Sequence, residues 1–281
     1  MNKKNIRSNR KKYIKSAIVL LIVIALLLFC SYQNRHLETT YYTYKVEQLG
    51  TDLEGYRIVQ ISDLHNAKFG KNNQKLVDRI RECEPDMIVL TGDLVDSNHT
   101  NVDRAVQFVD EIVKICPVYY VTGNHEYWLD TSEYENLMDG LASAGVIILD
   151  DQVVEISRGD AKFRLVGLDD RSLADGTLEA LLSDEKELTV VLAHEPQYFA
   201  RYAGTGVDLV LSGHAHGGQF RLPFVGGIVA PDQGFLPGYT AGEYYMNGTE
   251  MIVSRGLGNS VIPVRLFNYP EIVCVELVGK H

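Results

Sequence analysis

Cysteine is scarce in this 281-residue chain, and positive charge is scarce beyond its N-terminus. The four cysteines, Cys30, Cys83, Cys116 and Cys274, show neither short pairing nor ligand spacing, which excludes a disulfide scaffold and a thiolate zinc site. Cys30 lies in an apolar run, and the other three are expected as small buried hydrophobes. Long hydrophobic runs are almost absent. A single segment is long enough to span a bilayer, so a polytopic membrane protein is excluded. With 46% apolar and 23% charged residues the chain is neither disordered nor collagen-like, and its length suits one large α/β domain or two small ones.

The formal charge of -10 conceals an asymmetry. Residues 1–35 hold eight Lys/Arg and no acid, so residues 36–281 carry a formal charge of -18. A domain that acidic repels phosphate backbones, and no nucleic-acid partner is expected. An anionic substrate would need a local positive source.

The N-terminus reads as targeting rather than chemistry. Lys3, Lys4, Arg7, Arg10, Lys11, Lys12 and Lys15 precede residues 16–34, which are free of charge and, at about 1.5 Å per residue, reach the thickness of a hydrocarbon core. An uncleaved anchor and a cleaved signal peptide both fit this pattern. The anchor is favoured, because no small-x-small cleavage site follows and Phe29 stands where a lipoprotein signal wants a small residue before Cys30. The basic flank would stay in the cytoplasm, which places the rest of the chain on the extracytoplasmic side of a single-pass cell-membrane protein. The expected division is therefore 1–36 as basic tail and anchor, and 37–281 as the functional domain.

Beyond residue 36 one pattern recurs: a short apolar run, too brief for a helix, that ends in polar residues. Runs at 56–61, 87–90, 118–121, 190–193 and 207–211 lead to Asp63-Leu64-His65, Gly92-Asp93, Gly123-Asn124-His125-Glu126, His194-Glu195 and Gly213-His214-Ala215-His216. Between the early runs, apolar residues recur at three and four, as in Leu76 to Ile80 and Ala105 to Val113, which predicts helices. Alternating strands and helices make a largely buried sheet that binds ligands beyond the carboxyl ends of its strands. Tyr42, Tyr44 and Val46 alternate as in an opening strand. Runs at 146–149, 153–156, 163–168, 251–254 and 272–277 mostly lack helices between them and are expected to form a second sheet on the first. Residues 213–242, rich in glycine and proline, are expected as one long functional loop.

Asp63, His65, Asp93, Asn124, His194, His214 and His216 are oxygen and nitrogen donors without a thiolate, a set that suits Mn, Fe, Zn or Co. Seven ligands are too many for one tetrahedral ion and fit two ions sharing a carboxylate. Two divalent ions, two aspartates and a bridging hydroxide leave a local charge near +1, which is the positive source an anionic phosphoester requires.

In this order and at these separations, the five motifs resemble the calcineurin-like metallophosphoesterase superfamily from about Asp63 to His216. The resemblance implies an α/β fold in which two mixed β-sheets pack face to face between helices, a four-layer αββα sandwich, here preceded by one transmembrane helix. It implies that Asp63, His65 and His216 hold one divalent ion, that Asn124, His194 and His214 hold a second, and that Asp93 bridges both. A bridging hydroxide would be the nucleophile, and His125 would protonate the leaving oxygen or stabilise phosphoryl charge. No Tyr stands between Asp63-Leu64-His65 and Gly92-Asp93 where purple acid phosphatases place theirs, so a purple iron(III) centre is not expected. Gly217-Gly218-Gln219, Ser254-Arg255-Gly256-Leu257-Gly258 and Asn268-Tyr269-Pro270-Glu271 resemble a bacterial, membrane-anchored or exported branch that includes hydrolases of lipid-linked or envelope phosphodiesters.

The expected function is hydrolysis of phosphodiester or pyrophosphate bonds at the membrane on envelope or lipid-linked substrates. A broad phosphomonoesterase and a catalytically silent metal-binding envelope scaffold are the alternatives. Around the site, Asp96 is expected as a partner behind a ligand or a turn residue and His99 as a solvated loop residue. Asp169-Asp170-Arg171 follows a strand and could approach the site, with a surface turn as the default; Tyr127-Trp128 is expected as core, with packing beside substrate as the alternative; and Arg255 is a candidate phosphate clamp.

Overall fold

A computed structural model describes residues 3–182, 187–259 and 263–280, with side chains from residue 12 onward. The side chains of Lys3, Lys4, Arg7, Arg10 and Lys11 therefore lie outside the described residues. The chain opens with α1 (Lys3–Gln33), whose stretch from Lys12 to Gln33 has a mean hydropathy of 2.7 and is largely exposed, with Gln33 at its end buried against the domain. It is long and apolar enough to cross a membrane.

Two six-stranded sheets follow. The first contains β1 (Glu38–Val46), β2 (Tyr56–Ile61), β3 (Met87–Thr91), β4 (Val118–Val121), β5 (Ile147–Ile148) and β16 (Glu271–Gly279), in the order β1-β16-β2-β3-β4-β5. The second contains β6 (Gln152–Arg158), β7 (Ala161–Gly167), β8 (Thr189–Leu192), β9 (Leu209–Ser212), β14 (Gly242–Met246) and β15 (Thr249–Val253), in the order β14-β15-β9-β8-β7-β6. Both are mixed. β2 through β5 run parallel with β16 antiparallel to β2, while β7, β8, β9 and β15 run parallel between antiparallel β6 and β14.

The two-residue period of the strands sets the layers. Ile58, Met87, Val89, Tyr119 and Val121 face Phe163, Leu165, Val190, Leu192, Leu209 and Leu211 in one buried cluster between the sheets. Their alternates Val59, Ile61, Ile88, Leu90, Val118 and Tyr120 meet α2 (Gln74–Glu82), α3 (Val102–Ile112) and α5 (Thr131–Ala144). On the far side Val166, Val191, Val210 and Met251 pack beneath the short helices α6 (Thr177–Leu181) and α7 (Phe199–Tyr202). The result is helices, sheet, sheet, helices.

Three expectations need correction. The run at 146–149 shrinks to β5 and the run at 272–277 becomes β16, and both join the first sheet rather than the second. β16 fills the gap between β1 and β2, a return from the C-terminus that local pattern cannot signal. The long loop is not featureless: it carries two antiparallel ribbons, β10 (Arg221–Leu222) with β11 (Gly226–Gly227), and β12 (Val229–Ala230) with β13 (Gly234–Phe235). Among the described cysteines, Cys83 and Cys274 are buried as expected, whereas Cys116 is only half-buried.

Candidate metal centre

Five strand ends supply the site, three from the first sheet and two from the second. β2 runs into Asp63 and His65, β3 into Asp93, and β4 into α4 (Asn124–Tyr127), while β8 runs into His194 and β9 into His214 and His216. Asp63, His65, Asp93, His214 and His216 all adopt the left-handed backbone conformation, with φ of 50, 44, 55, 63 and 47°. L-residues occupy that region only when their surroundings over-determine it. Here a web of hydrogen bonds does so. The Asp63 and His65 amides donate to the Gly92 and Asp93 carbonyls at 3.1 and 3.0 Å, and the His214 amide donates to Asp63 Oδ1 at 2.9 Å. The Glu126 carboxylate accepts the amides of Gly123, Asp93 and Leu94 at 2.8 to 2.9 Å, tying the β3 end to the β4 end. Gly213 leaves room for this convergence, since a Cβ there would stand 1.8 Å from Ser62 Oγ and 2.5 Å from Asp63 Oδ2.

All seven expected donors come together, and all but the half-buried Asn124 are buried. His65 Nε2 and His216 Nε2 lie 3.2 Å apart, with Asp63 Oδ1 3.6 Å from His216 Nε2. Beside them, His194 Nε2 is 3.2 Å from His214 Nδ1 and 3.2 Å from Asn124 Oδ1, which is itself 3.1 Å from His214 Nδ1. Asp93 Oδ2 stands between the groups, 3.4 Å from His65 Nε2 and 3.3 Å from His194 Nε2.

The donor chemistry of the second group fits a cation. His194 Nδ1 lies 2.7 Å from the Thr91 carbonyl, an acceptor, so the neutral ring carries its proton there. His214 Nε2 lies 2.9 Å from Asp232 Oδ2, which fixes that ring's proton on Nε2. The inward atoms are then two ring lone pairs, the Asn124 carbonyl oxygen and a carboxylate oxygen: acceptors with no donor among them. A positive charge satisfies such a buried cluster, whether a metal ion or a proton on His194 Nε2. Burial opposes charge on His194, yet the carboxylate of Asp93 beside it, with Asp63 and Asp170 beyond, holds it well above the usual histidine value. The same negative field draws a metal ion. Burial pushes His65 down to about 3, leaving a neutral ring available as a ligand.

His125 is buried beside these groups, its ring 4.5 Å from that of His65. The Ser97 amide donates to its Nδ1 at 3.2 Å, with Ser97 Oγ at 3.1 Å, so the neutral ring carries its proton on Nε2. Asp96 Oδ1 lies 3.7 Å from the same Nδ1, too far for a hydrogen bond. Asp96 thus stands behind His125, as expected, and His99 is a solvated residue 3.3 Å from the same carboxylate.

Other expectations fail. Trp128 is 61% exposed with its ring 4.6 Å from His125, lining the mouth of the site rather than the core. Asp170 stands in a short turn (Asp170–Ser172) but is half-buried and reaches toward His194, its buried Oδ1 lacks a hydrogen-bond partner, and burial pushes its carboxyl up to about 7. Arg255 is not free to clamp phosphate, because its guanidinium pairs with Glu38 and Glu271 at 2.8 Å each. Sequence reasoning missed Asp232 and Glu126 as supports. The branch motifs brace the cluster: Leu257 donates its amide to the carbonyl of Ser62, next to Asp63, at 3.1 Å, and Asn268 Nδ2 donates to the His216 carbonyl at 2.7 Å.

Comparison with known proteins agrees with this geometry. A family model described as "Calcineurin-like phosphoesterase" matches residues 56–218. The chain is 31% identical over 266 residues to a Bacillus subtilis protein named "Uncharacterized metallophosphoesterase YkuE", covering 90% of each. It is 32% identical to the Escherichia coli protein named "Phosphodiesterase YaeI", covering 79% of this chain and 82% of that one. It is 30% identical to a Danio rerio "Transmembrane protein with metallophosphoesterase domain", covering 83% of this chain and 55% of that protein. The chain belongs to the calcineurin-like phosphoesterase family and is a phosphoester hydrolase.

Proposed function

We propose that this chain is a membrane-anchored phosphodiesterase whose domain, residues 37–281, faces the extracytoplasmic side and binds two divalent ions. The observation that carries the reading is the pair of buried donor groups sharing Asp93 Oδ2. Asp63, His65 and His216 would hold one ion, Asn124, His194 and His214 the other. Two such ions supply electrostatic stabilisation of the phosphoryl group and a water of lowered pKa. His125, whose Nε2 holds a proton, would donate a hydrogen bond to the departing oxygen, with Asp96 standing behind its ring. Trp128 walls one side of that position.

A diester or pyrophosphate substrate in the envelope or on a lipid is supported by α1, which would hold the site close to head groups at high effective concentration. The basic residues that precede the apolar stretch of α1 support a cytoplasmic N-terminus. The printed name of the Escherichia coli relative supports diester hydrolysis. The test is turnover of bis-p-nitrophenyl phosphate against p-nitrophenyl phosphate by purified full-length protein with and without Mn²⁺. Chelator-sensitive cleavage of the diester supports the reading, and a loaded protein inert toward every ester tried points to the scaffold alternative.

A further inference from the structure

The two ribbons expose large apolar side chains that no other described element covers. Phe224 at the β10–β11 turn is fully exposed, Phe235 on β13 is 73% exposed, and Leu222, Val225 and Leu236 beside them are exposed as well. One solvent-exposed Phe is ordinary, but five such residues on two adjoining ribbons are not. The ribbons are joined by backbone: Ile228 donates to the Phe220 carbonyl at 2.9 Å, and Leu236 donates to the Ile228 carbonyl at 2.9 Å.

Their position relative to α1 identifies the surface that covers them. Phe267, 52% exposed, packs edge-to-face on Phe29 of α1 at 5.7 Å between ring centroids. Phe29 lies four residues before the end of α1, about 6 Å inside the apolar stretch at 1.5 Å per residue. If α1 spans a bilayer, the ring that touches Phe29 sits at the depth where acyl chains meet head groups. The neighbouring Leu266 is bonded to the first ribbon, with the Arg221 amide donating to its carbonyl at 2.9 Å. Phe224 follows Arg221 by three residues, no more than about 10 Å of chain. Tyr32 and Tyr269 meet at 6.1 Å at the same end of the helix, residues of the type that collect at a membrane interface.

We infer that the two ribbons form a second membrane contact, with Phe224, Val225, Phe235 and Leu236 entering the interface of the leaflet from which α1 emerges. The partner is the lipid bilayer itself. The inference rests on the reading of α1 as a spanning helix. It also has a consequence for the site, because the turn between β12 and β13 carries Asp232, which bonds His214 at 2.9 Å. A lipid surface that seats the ribbons therefore lies against the same segment that steadies a donor of the metal centre, so the site would open onto head-group phosphates.

The test uses full-length protein reconstituted in phosphatidylcholine vesicles with brominated acyl chains. Single variants Leu21→Trp, Phe224→Trp and Phe235→Trp each add a tryptophan, and the wild-type emission of Trp128 is subtracted. Quenching of all three added tryptophans by the bromines supports the inference. Quenching of Leu21→Trp alone, with the ribbon tryptophans as bright as in unbrominated vesicles, overturns it and leaves the anchor standing. No quenching at Leu21→Trp overturns the anchor and the inference together. In parallel, the double variant Phe224→Asn/Phe235→Asn should lose roughly tenfold in kcat/KM toward a phosphodiester presented in vesicles, the effect of losing about 1.4 kcal/mol of apolar insertion. Its turnover of bis-p-nitrophenyl phosphate should be unchanged. Asn tolerates the left-handed backbone at Phe224, with φ of 67°, so folding is preserved. Equal loss on both substrates, or on neither, overturns the inference.

Discussion

Asp93 and His125 are locked to each other through the backbone: the His125 amide donates to Asp93 Oδ1 at 2.9 Å. That bond fixes one carboxylate oxygen and turns the other, Oδ2, into the gap between His65 and His194. The proposed bridging carboxylate is thus oriented by the residue proposed as the acid, and a shift of either displaces both. Asp93→Asn keeps the size and the Oδ1 acceptor but removes the negative charge. We expect it to lower metal content from two equivalents to one or fewer and to cut diester turnover by about 10³-fold or more. Metal analysis beside the activity assay checks this, and two retained equivalents with full turnover would remove the bridging role.

His125→Ala should separate catalysis from metal binding. The ring accepts from Ser97 and lies outside both donor groups, so metal content should stay at the wild-type level while kcat falls roughly 10²–10⁴-fold. The loss should shrink for esters whose leaving group departs without a proton. An undiminished loss with nitrophenol esters would point to charge stabilisation instead.

Much of this was legible in the sequence, for an identifiable reason. The strands that end in the donor residues are short, almost wholly buried and bounded by polar clusters, so β2, β3, β4, β8 and β9 announce themselves within a residue or two. α5 does not, because Leu137 and Leu141 are its only buried apolar residues and make too thin a stripe. The run that becomes β16 reads as part of the second sheet, wrongly, since its true neighbours β1 and β2 lie more than two hundred residues away along the chain. Within the site, the seven donors that the fold brings together were readable from residue type, and the residues that support them were not. Asp232 and Asn268 act through positions far from the motifs they serve, and only folding brings them to His214 and His216.

Asp150 offers a stability test separate from the metals. It accepts the Thr122 amide at 2.9 Å, and burial pushes its carboxyl up to about 6 from an ordinary 3.8. The folded state therefore holds this proton more tightly than the unfolded state. The contribution is fully present below about pH 4 and is lost as pH rises through about 6. Asp150→Asn keeps the acceptor and removes the titration. Relative to wild type it should gain stability on going from pH 4 to pH 7, by about 1–3 kcal/mol, read from denaturant midpoints at several pH values. A difference that is flat with pH would show that Asp150 is ionised in the fold throughout.

Asp232 tests how far the ribbons govern the centre. Its carboxylate is largely exposed, yet it accepts from His214 Nε2 at 2.9 Å and so keeps the proton off the Nδ1 that faces His194 and Asn124. A carboxylate behind a histidine ligand fixes its tautomer and raises its basicity, and loss of such a partner typically costs 10- to 100-fold in metal affinity. Asp232→Ala should therefore weaken one ion by about that factor, leave the other, and return most of the lost turnover at saturating Mn²⁺. Asp232→Asn, which still offers an oxygen acceptor without charge, should fall between the two. A metal titration with two resolved affinities checks all of this. Equal weakening of both ions would mean that Asp232 holds the loop as a whole, and no weakening of either would make its contact with His214 incidental.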